Sequence, residues 1–435
     1  MTTKTLLRKS LVIVAALLLL ISLLIIYKLS SASIEVDANG IHKRLLVPIN
    51  SKGESIGIRM GGGTGDGAKL PGFLDGPIVR PAGEGSWTAT WFCEDRVHEQ
   101  RGNTPDLTIT CAGKTAVFPV GQQAPKYAET MPMPGKVAVL SDVEGNQAFF
   151  DGSLTKLGVM DWDGKWTYGD GHLVIVGDAV DRGRDVFGVL WRLYSLSIQA
   201  KRHGGGVHLV QGNHEQYVLH ANPKSVDSHH WYAVDQMGGM KQAFAADTVI
   251  GRWLREQPVL IRMGKVLFLH GGIGKQVTES GMSIEQLNAA MRSYWRGEKL
   301  GKPELEAVLG MEGVTQYRGY LDDEKGRAPL PEVTAGLERF GASRAVVGHT
   351  LVDKVQTLYD GRVFAIDVNT NEAADETLVF ENGEPRVVPV VDRGLLPETQ
   401  GGLRRPFQLT DASDLRALGH AVWEAIKFSR VPYPY

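Results

Sequence analysis

An α/β protein with an all-β appendage and an amino-terminal apolar helix is the architecture that these 435 residues predict. Three observations lead there. Leu11 to Tyr27 is apolar except for Ser22. Between Ile34 and Ala124, short apolar runs alternate with Gly, Pro, Asn and Asp turns, the pattern of a small β-rich domain. From Lys136 to about Pro389, strand-like runs alternate with helical patterns, which signals a layered α/β domain. The length asks for two or three units. Hydrophobic residues at 43% and charged residues at 22% exclude a disordered or fibrous chain. The 47 Lys and Arg against 49 Asp and Glu give a net charge of −2, which leaves no electrostatic footprint for nucleic acid. Two cysteines exclude a disulfide-dense scaffold and any Cys-rich metal site.

Residues 1–30 read as a cytoplasmic stub and a transmembrane anchor. The apolar run spans roughly 25 Å as a helix, near the thickness of a bilayer core. Lys4, Arg8 and Lys9 precede it, and positive residues favour the cytoplasmic side, so the remaining chain is expected outside, periplasmic or extracellular. A cleaved signal peptide is the rival, since Ser31-Ala32-Ser33 offers small residues for cleavage. Residues 34–124 form the expected β-rich domain, with runs at Leu45 to Val47, Ser86 to Cys93 and Leu107 to Cys111. Cys93 and Cys111 end two such runs, and pairing of those runs as a hairpin would let an exported chain close a disulfide. The glycine-rich Met60 to Gly67 lacks the Lys-Ser/Thr ending of a phosphate loop and reads as a turn. Residues 125–135, with Pro125, Pro132 and Pro134, form a linker. The α/β domain is expected over 136–391. Residues 392–435 form a tail with a docking helix over Asp411 to Phe428, where Leu415, Leu418, Val422 and Ile426 fall at helical spacing.

Five loops in the α/β domain carry polar residues directly after apolar strands. They are Ser141-Asp142-Val143-Glu144-Gly145-Asn146, Gly177-Asp178-Ala179-Val180-Asp181-Arg182-Gly183, Gly212-Asn213-His214-Glu215, His270-Gly271-Gly272 and Gly348-His349-Thr350. Open α/β sheets place ligands at the carboxyl ends of their strands. Asp, Asn and His together suit Mn, Fe or Zn.

This set resembles the calcineurin-like metallophosphoesterase superfamily, in particular its serine/threonine phosphatase branch and related bacterial phosphatases. The resemblance covers roughly Gly135 to Val391 and implies an α/β/β/α layered fold with two divalent metal ions, manganese first, iron or zinc as alternatives. It further implies that Asp178 bridges the metals, that Asp142 holds the first, and that Asn213, His270 and His349 hold the second. Hydrolysis would proceed by attack of a metal-bridging hydroxide on a phosphomonoester, of a phosphoprotein or a small molecule. His214 would act as general acid, oriented by Asp181, and Arg182 would clamp phosphate oxygens. Arg318, in Gln316-Tyr317-Arg318-Gly319-Tyr320, is the candidate for a second clamp. Glu215 is expected to support the site without taking part. The chain departs from the family at Glu144, where the first motif has His. Glu144 is a carboxylate ligand in place of imidazole, a group that faces the site without binding, or the mark of a degenerate site. Two other functions stay open: a diadenosine tetraphosphatase-like hydrolase, and a metal-binding pseudo-enzyme that acts through a partner. The partners expected are a phosphorylated substrate and, through the first helix, a membrane. His229-His230-Trp231 lies on an insertion after the third motif, where packing is the expected role.

Overall fold

The structure, a computed structural model, describes residues 3–36, 43–49, 54–59, 70–222, 225–322, 326–368, 375–394 and 403–428. Met60 to Gly67 therefore lies outside the described residues. The chain divides into two compact units, Met1–Leu70 with Pro397–Pro434, and Pro71–Leu396.

The first unit begins with a helix over Thr3–Ser30. Ser22, the polar residue in its apolar run, donates its hydroxyl to the Leu18 carbonyl at 2.8 Å, so it needs no external partner. Among the described residues, no helix is long and apolar enough to cross a membrane, and the expected anchor rests on the sequence. Strands β1 (Ser33–Val36), β2 (Lys43–Pro48) and β3 (Ser55–Arg59) pair antiparallel, and β20 (Leu403–Pro406) closes the sheet beside β1. Ile34, Leu45 and Phe407 bury their side chains on this sheet, with Leu418 of the helix Ala412–Phe428 packed against them. The Arg405 guanidinium forks onto the buried Asp414 carboxylate at 2.6 and 2.8 Å, which fastens that helix to the sheet.

The second unit is the layered α/β domain with a further β layer. One central sheet has the order β12 (Gly206–Val210), β11 (His172–Val176), β10 (Lys136–Leu140), β18 (Glu376–Glu381), β19 (Glu384–Pro389). The other has the order β16 (Gln356–Leu358), β17 (Val363–Ala365), β15 (Arg344–Val347), β14 (Val266–Leu269), β13 (Leu260–Met263), β9 (Thr130–Met131). The sheets meet face to face. Phe268 and Phe380 are in edge contact at 5.9 Å, and both are fully buried. Helices Gln147–Lys156 and Val186–Arg202 belong to the core of the first sheet. Ile284–Trp295 lies on the second, where Asn288 accepts from the amides of Val259 and Leu260.

The expected β domain over 34–124 is divided between the two units. β1 to β3 belong with the carboxy-terminal strand. The antiparallel β4 (Leu74–Gly83), β5 (Ser86–Cys93) and β6 (Arg96–Gly102), and the hairpin of β7 (Leu107–Cys111) and β8 (Lys114–Phe118), belong to the α/β unit. The physical reason is a shared core: Ile78, Val79, Trp87, Ile109 and Phe118 join one buried cluster with Phe187, Leu190 and Trp191. Trp191 donates its indole N–H to the Pro77 carbonyl at 2.9 Å. Cys93 and Cys111 form a disulfide, but their strands lie in separate sheets, so the bond ties two sheets together and does not close a hairpin. The linker also does more than connect, since Thr130 and Met131 extend the second central sheet in parallel with β13.

Candidate functional site

Four parallel neighbours, β10 with β11 and β14 with β15, end at one edge, and their following loops converge. The convergence is tight enough to need glycine. A Cβ on Gly177, whose φ is +79°, would stand 2.4 Å from the His270 ring, and one on Gly212 would stand 2.2 Å from Asp178 Oδ1. The loops are also strained. Asp142, Glu144, Asp178, Asp181, Arg182 and His349 all have positive φ, six of the fourteen such non-glycine residues described. Glu215 organises them from beneath. Its Oε2 accepts from the amides of Asp178 and Gly212 at 2.9 and 2.7 Å, and its Oε1 accepts from Ala179 at 2.8 Å. Burial and the neighbouring Asp178 push its carboxyl up to about 7.

The geometry fits a cation. His270 donates Nδ1–H to the Val176 carbonyl at 2.8 Å, which leaves Nε2 with its lone pair directed inward. That Nε2 stands 3.0 Å from Asp178 Oδ2 and 3.1 Å from Asn213 Oδ1. His349 likewise uses Nε2–H on the Gln316 carbonyl at 3.1 Å, and its Nδ1 faces Arg318 Nη2 at 3.5 Å. One ligand atom each from Asp178, His270 and His349 falls within 4.8 Å of the others, and all three side chains are buried. Acceptors crowded together in this way repel unless a cation sits among them. The His270 ring shows the same demand for positive charge: burial alone would lower its pKa, yet Asp178 and Asp142 push it up to about 10, so without a metal a proton takes the Nε2 lone pair. Asp142 joins from the adjacent loop, its Oδ2 accepting from the His349 amide at 3.2 Å and from the Ser141 hydroxyl.

His214 and Asp181 form a buried dyad, Nδ1 to Oδ2 at 2.9 Å. Arg182 donates Nη2–H to His214 Nε2 at 3.2 Å. Its Nη1 is ion-paired with Glu144, a carboxyl that burial pushes up to about 7 against the pull of that guanidinium. Arg318 reaches the same edge, donating to the His349 carbonyl and to Thr350 Oγ1. The ten residues singled out in the sequence therefore stand in one neighbourhood. His230 lies apart from the ligand cluster and pairs with Asp75 of β4 at 2.7 Å, in line with a packing role.

Two residues escaped the sequence reading. Asp367 follows the run Val363 to Ile366 just as His349 follows β15, and it is 3% exposed. Arg393 donates to the Asp142 carbonyl and lies over the Phe149 ring at 4.3 Å. Asp367 obeys the strand-then-polar pattern and could have been found by it. Arg393 gives no such signal, because it follows a β-hairpin at the far end of the domain.

A family model described as calcineurin-like phosphoesterase matches residues 135–353. The crystal structure of a cold-active protein-tyrosine phosphatase from a psychrophilic Shewanella species is similar, at 30% identity. It covers 72% of this chain and 99% of that one with a TM-score of 0.65. Shewanella-like protein phosphatase 2 of Arabidopsis thaliana is 22% identical over 290 residues, 56% of this chain and 74% of that protein. Shewanella-like protein phosphatase 1 of Plasmodium berghei is 24% identical over 233 residues, 50% and 61% of the respective chains.

Proposed function

Since this chain belongs to the calcineurin-like phosphoesterase family, we propose that it is a metal-dependent phosphatase acting on phosphoproteins. The observation that carries the metal-dependent reading is the convergence of Asp178 Oδ2 and Asn213 Oδ1 on His270 Nε2, at 3.0 and 3.1 Å. Asp142, Glu144 and Asp178 are assigned to a first divalent ion, and Asp178, Asn213, His270 and His349 to a second. Two such ions lower the pKa of bound water and neutralise charge on the attacking and leaving oxygens. The carboxylate-rich first position favours manganese over zinc or iron.

The chain's own groups supply the rest. Arg182 and Arg318 are placed to hold phosphate oxygens, with guanidiniums that can bind two at once. His214, fixed by Asp181 through Nδ1, presents Nε2 to the leaving oxygen and hands it a proton. The phosphoprotein substrate is proposed from the similarity to a protein-tyrosine phosphatase and to Shewanella-like protein phosphatases. An anchored, extracytoplasmic location is proposed from the basic residues ahead of the first helix, its exposed apolar side chains from Leu17 to Tyr27, and the disulfide.

Stripping the metals should abolish turnover of p-nitrophenyl phosphate, and Mn²⁺ should restore it. Phosphotyrosyl and phosphoseryl peptides should be cleaved in preference to sugar phosphates and diadenosine tetraphosphate. Preference for the dinucleotide would overturn the substrate class, and no turnover with any divalent ion would overturn the catalytic reading.

A further inference from the structure

We propose that Asp367 is an additional carboxylate ligand at the first metal position, completing the set that the replacement of His by Glu144 leaves altered. The inference rests on the metal-dependent reading above. Its starting point is register. β15 and β17 run parallel, with Val347 opposite Ala365, and the Ile366 amide donates to the Val347 carbonyl at 2.9 Å. Two residues further along each chain come His349 and Asp367. A pair of adjacent strands thus leads into an imidazole and a carboxylate at the edge where Asp142 sits; the Asp367 carbonyl accepts from the Val352 amide at 3.0 Å, and Asp142 Oδ2 accepts from the His349 amide.

The carboxylate has an oxygen that no hydrogen bond of the protein satisfies. Asp367 is 3% exposed, and its Oδ1 has no hydrogen-bond partner among the described residues. Buried carboxylates are ordinarily paired, hydrogen-bonded or bound to metal. The nearby cations are otherwise engaged: Arg182 with Glu144 and His214, Arg318 with the His349 carbonyl, Arg393 with the Asp142 carbonyl. Asp367 feels the charge of Arg393 and His270, and it also interacts with Asp142, Asp178 and Glu144, the three groups assigned to the first ion. Burial and Asp142 together raise its carboxyl well above the usual range, as expected of an anion held among anions. Glu144, with one oxygen held by Arg182, is a constrained ligand, and a second carboxylate would compensate for it.

The test is metal content and affinity, measured on the full chain for wild type, Asp367→Asn and Glu144→Gln with Mn²⁺ as the probe. Wild type should hold two ions. Asp367→Asn should hold one at the same Mn²⁺ concentration, with the first-site affinity weakened about 100-fold and the second unchanged. Wild type holding fewer than two ions would overturn the dinuclear reading and this inference with it. Two ions bound by Asp367→Asn with wild-type affinity would overturn the inference alone. Should the Asn variant fail to fold, Asp367→Cys decides the matter. A thiolate ligand should turn the first position from Mn²⁺ toward Zn²⁺ or Cd²⁺, and an unchanged preference would show that residue 367 does not touch the ion.

Discussion

His214 is held through Nδ1 by Asp181, its amide donates to Asp178 Oδ1 at 2.8 Å, and its ring Nε2 stays 3.7 Å from Asp178 Oδ2, beyond hydrogen-bond reach. Replacing it with Asn should therefore lower kcat about 10²–10⁴-fold while both metals stay bound. The loss should be smaller for p-nitrophenyl phosphate than for a phosphoseryl peptide, whose alkoxide needs the proton more. Metal analysis of the variant checks the assignment, since a lost ion would make His214 a ligand. Glu144→His gives a second test. A neutral imidazole should release Arg182 from its ion pair and turn the first position toward zinc or iron, read by competition between Mn²⁺ and Zn²⁺. These residues were legible because each follows an apolar strand and belongs to a short, ordered motif. The Glu144–Arg182 pair was not legible, because its partners are 38 residues apart and meet only when two loops cross. Asp367 differs: it does follow an apolar run, Val363 to Ile366, but has no glycine or histidine beside it to mark a motif.

At the scale of elements, the strands carry both the chemistry and the conditions for it. His172 of β11 and His208 of β12 share a hydrogen bond of 2.8 Å in the interior, and burial pushes His208 down to about 3 from an ordinary 6.5. The folded ring stays neutral where the unfolded one takes a proton. Its contribution is therefore fully present above pH 6.5 and is lost as the pH falls toward 3. His208→Phe keeps a ring against Tyr127, 4.6 Å away, and should move the acid-unfolding midpoint to lower pH. The disulfide between β5 and β7 closes 18 residues, a constraint worth about 3 kcal/mol in the chain-entropy model. Cys93→Ala with Cys111→Ala should lower the urea midpoint without changing kcat, measured by denaturant unfolding and turnover of the same sample. Strand positions were readable from alternation and turns. Sheet membership was not: β5 and β7 look like partners in the sequence, yet each finds its neighbour elsewhere, because the core they cover belongs to the helix Val186–Arg202.

At the scale of the molecule, the unit boundary near residue 71 makes its own prediction. A fragment of residues 71–396 should fold and hydrolyse p-nitrophenyl phosphate, whereas one starting at residue 125 should aggregate. The shorter fragment uncovers the surface that Ile78, Val79, Trp87, Ile109 and Phe118 occupy. At about 1.5–3 kcal/mol for each large buried side chain, their loss matches the whole stability of a typical domain. Solubility and thermal unfolding of the two fragments decide it. The prolines at 125–135 suggest a linker and a natural place to cut, but Thr130 and Met131 within it pair with β13, so the stretch is part of the fold.

β1 and β20 lie side by side although some 370 residues separate them, so the first unit is assembled from the two ends of the chain. The catalytic unit is thus one continuous stretch of chain whose two ends both lead into the first unit, as into a single knot. During synthesis, the first strand must wait for a partner made some 370 residues later, while the catalytic unit between them is free to fold first. A protease that nicks one connecting segment would not set the enzyme loose, because the other still holds it. Release takes two cuts, one on each side, and a shed active fragment recovered after a single cleavage would show that the knot does not hold.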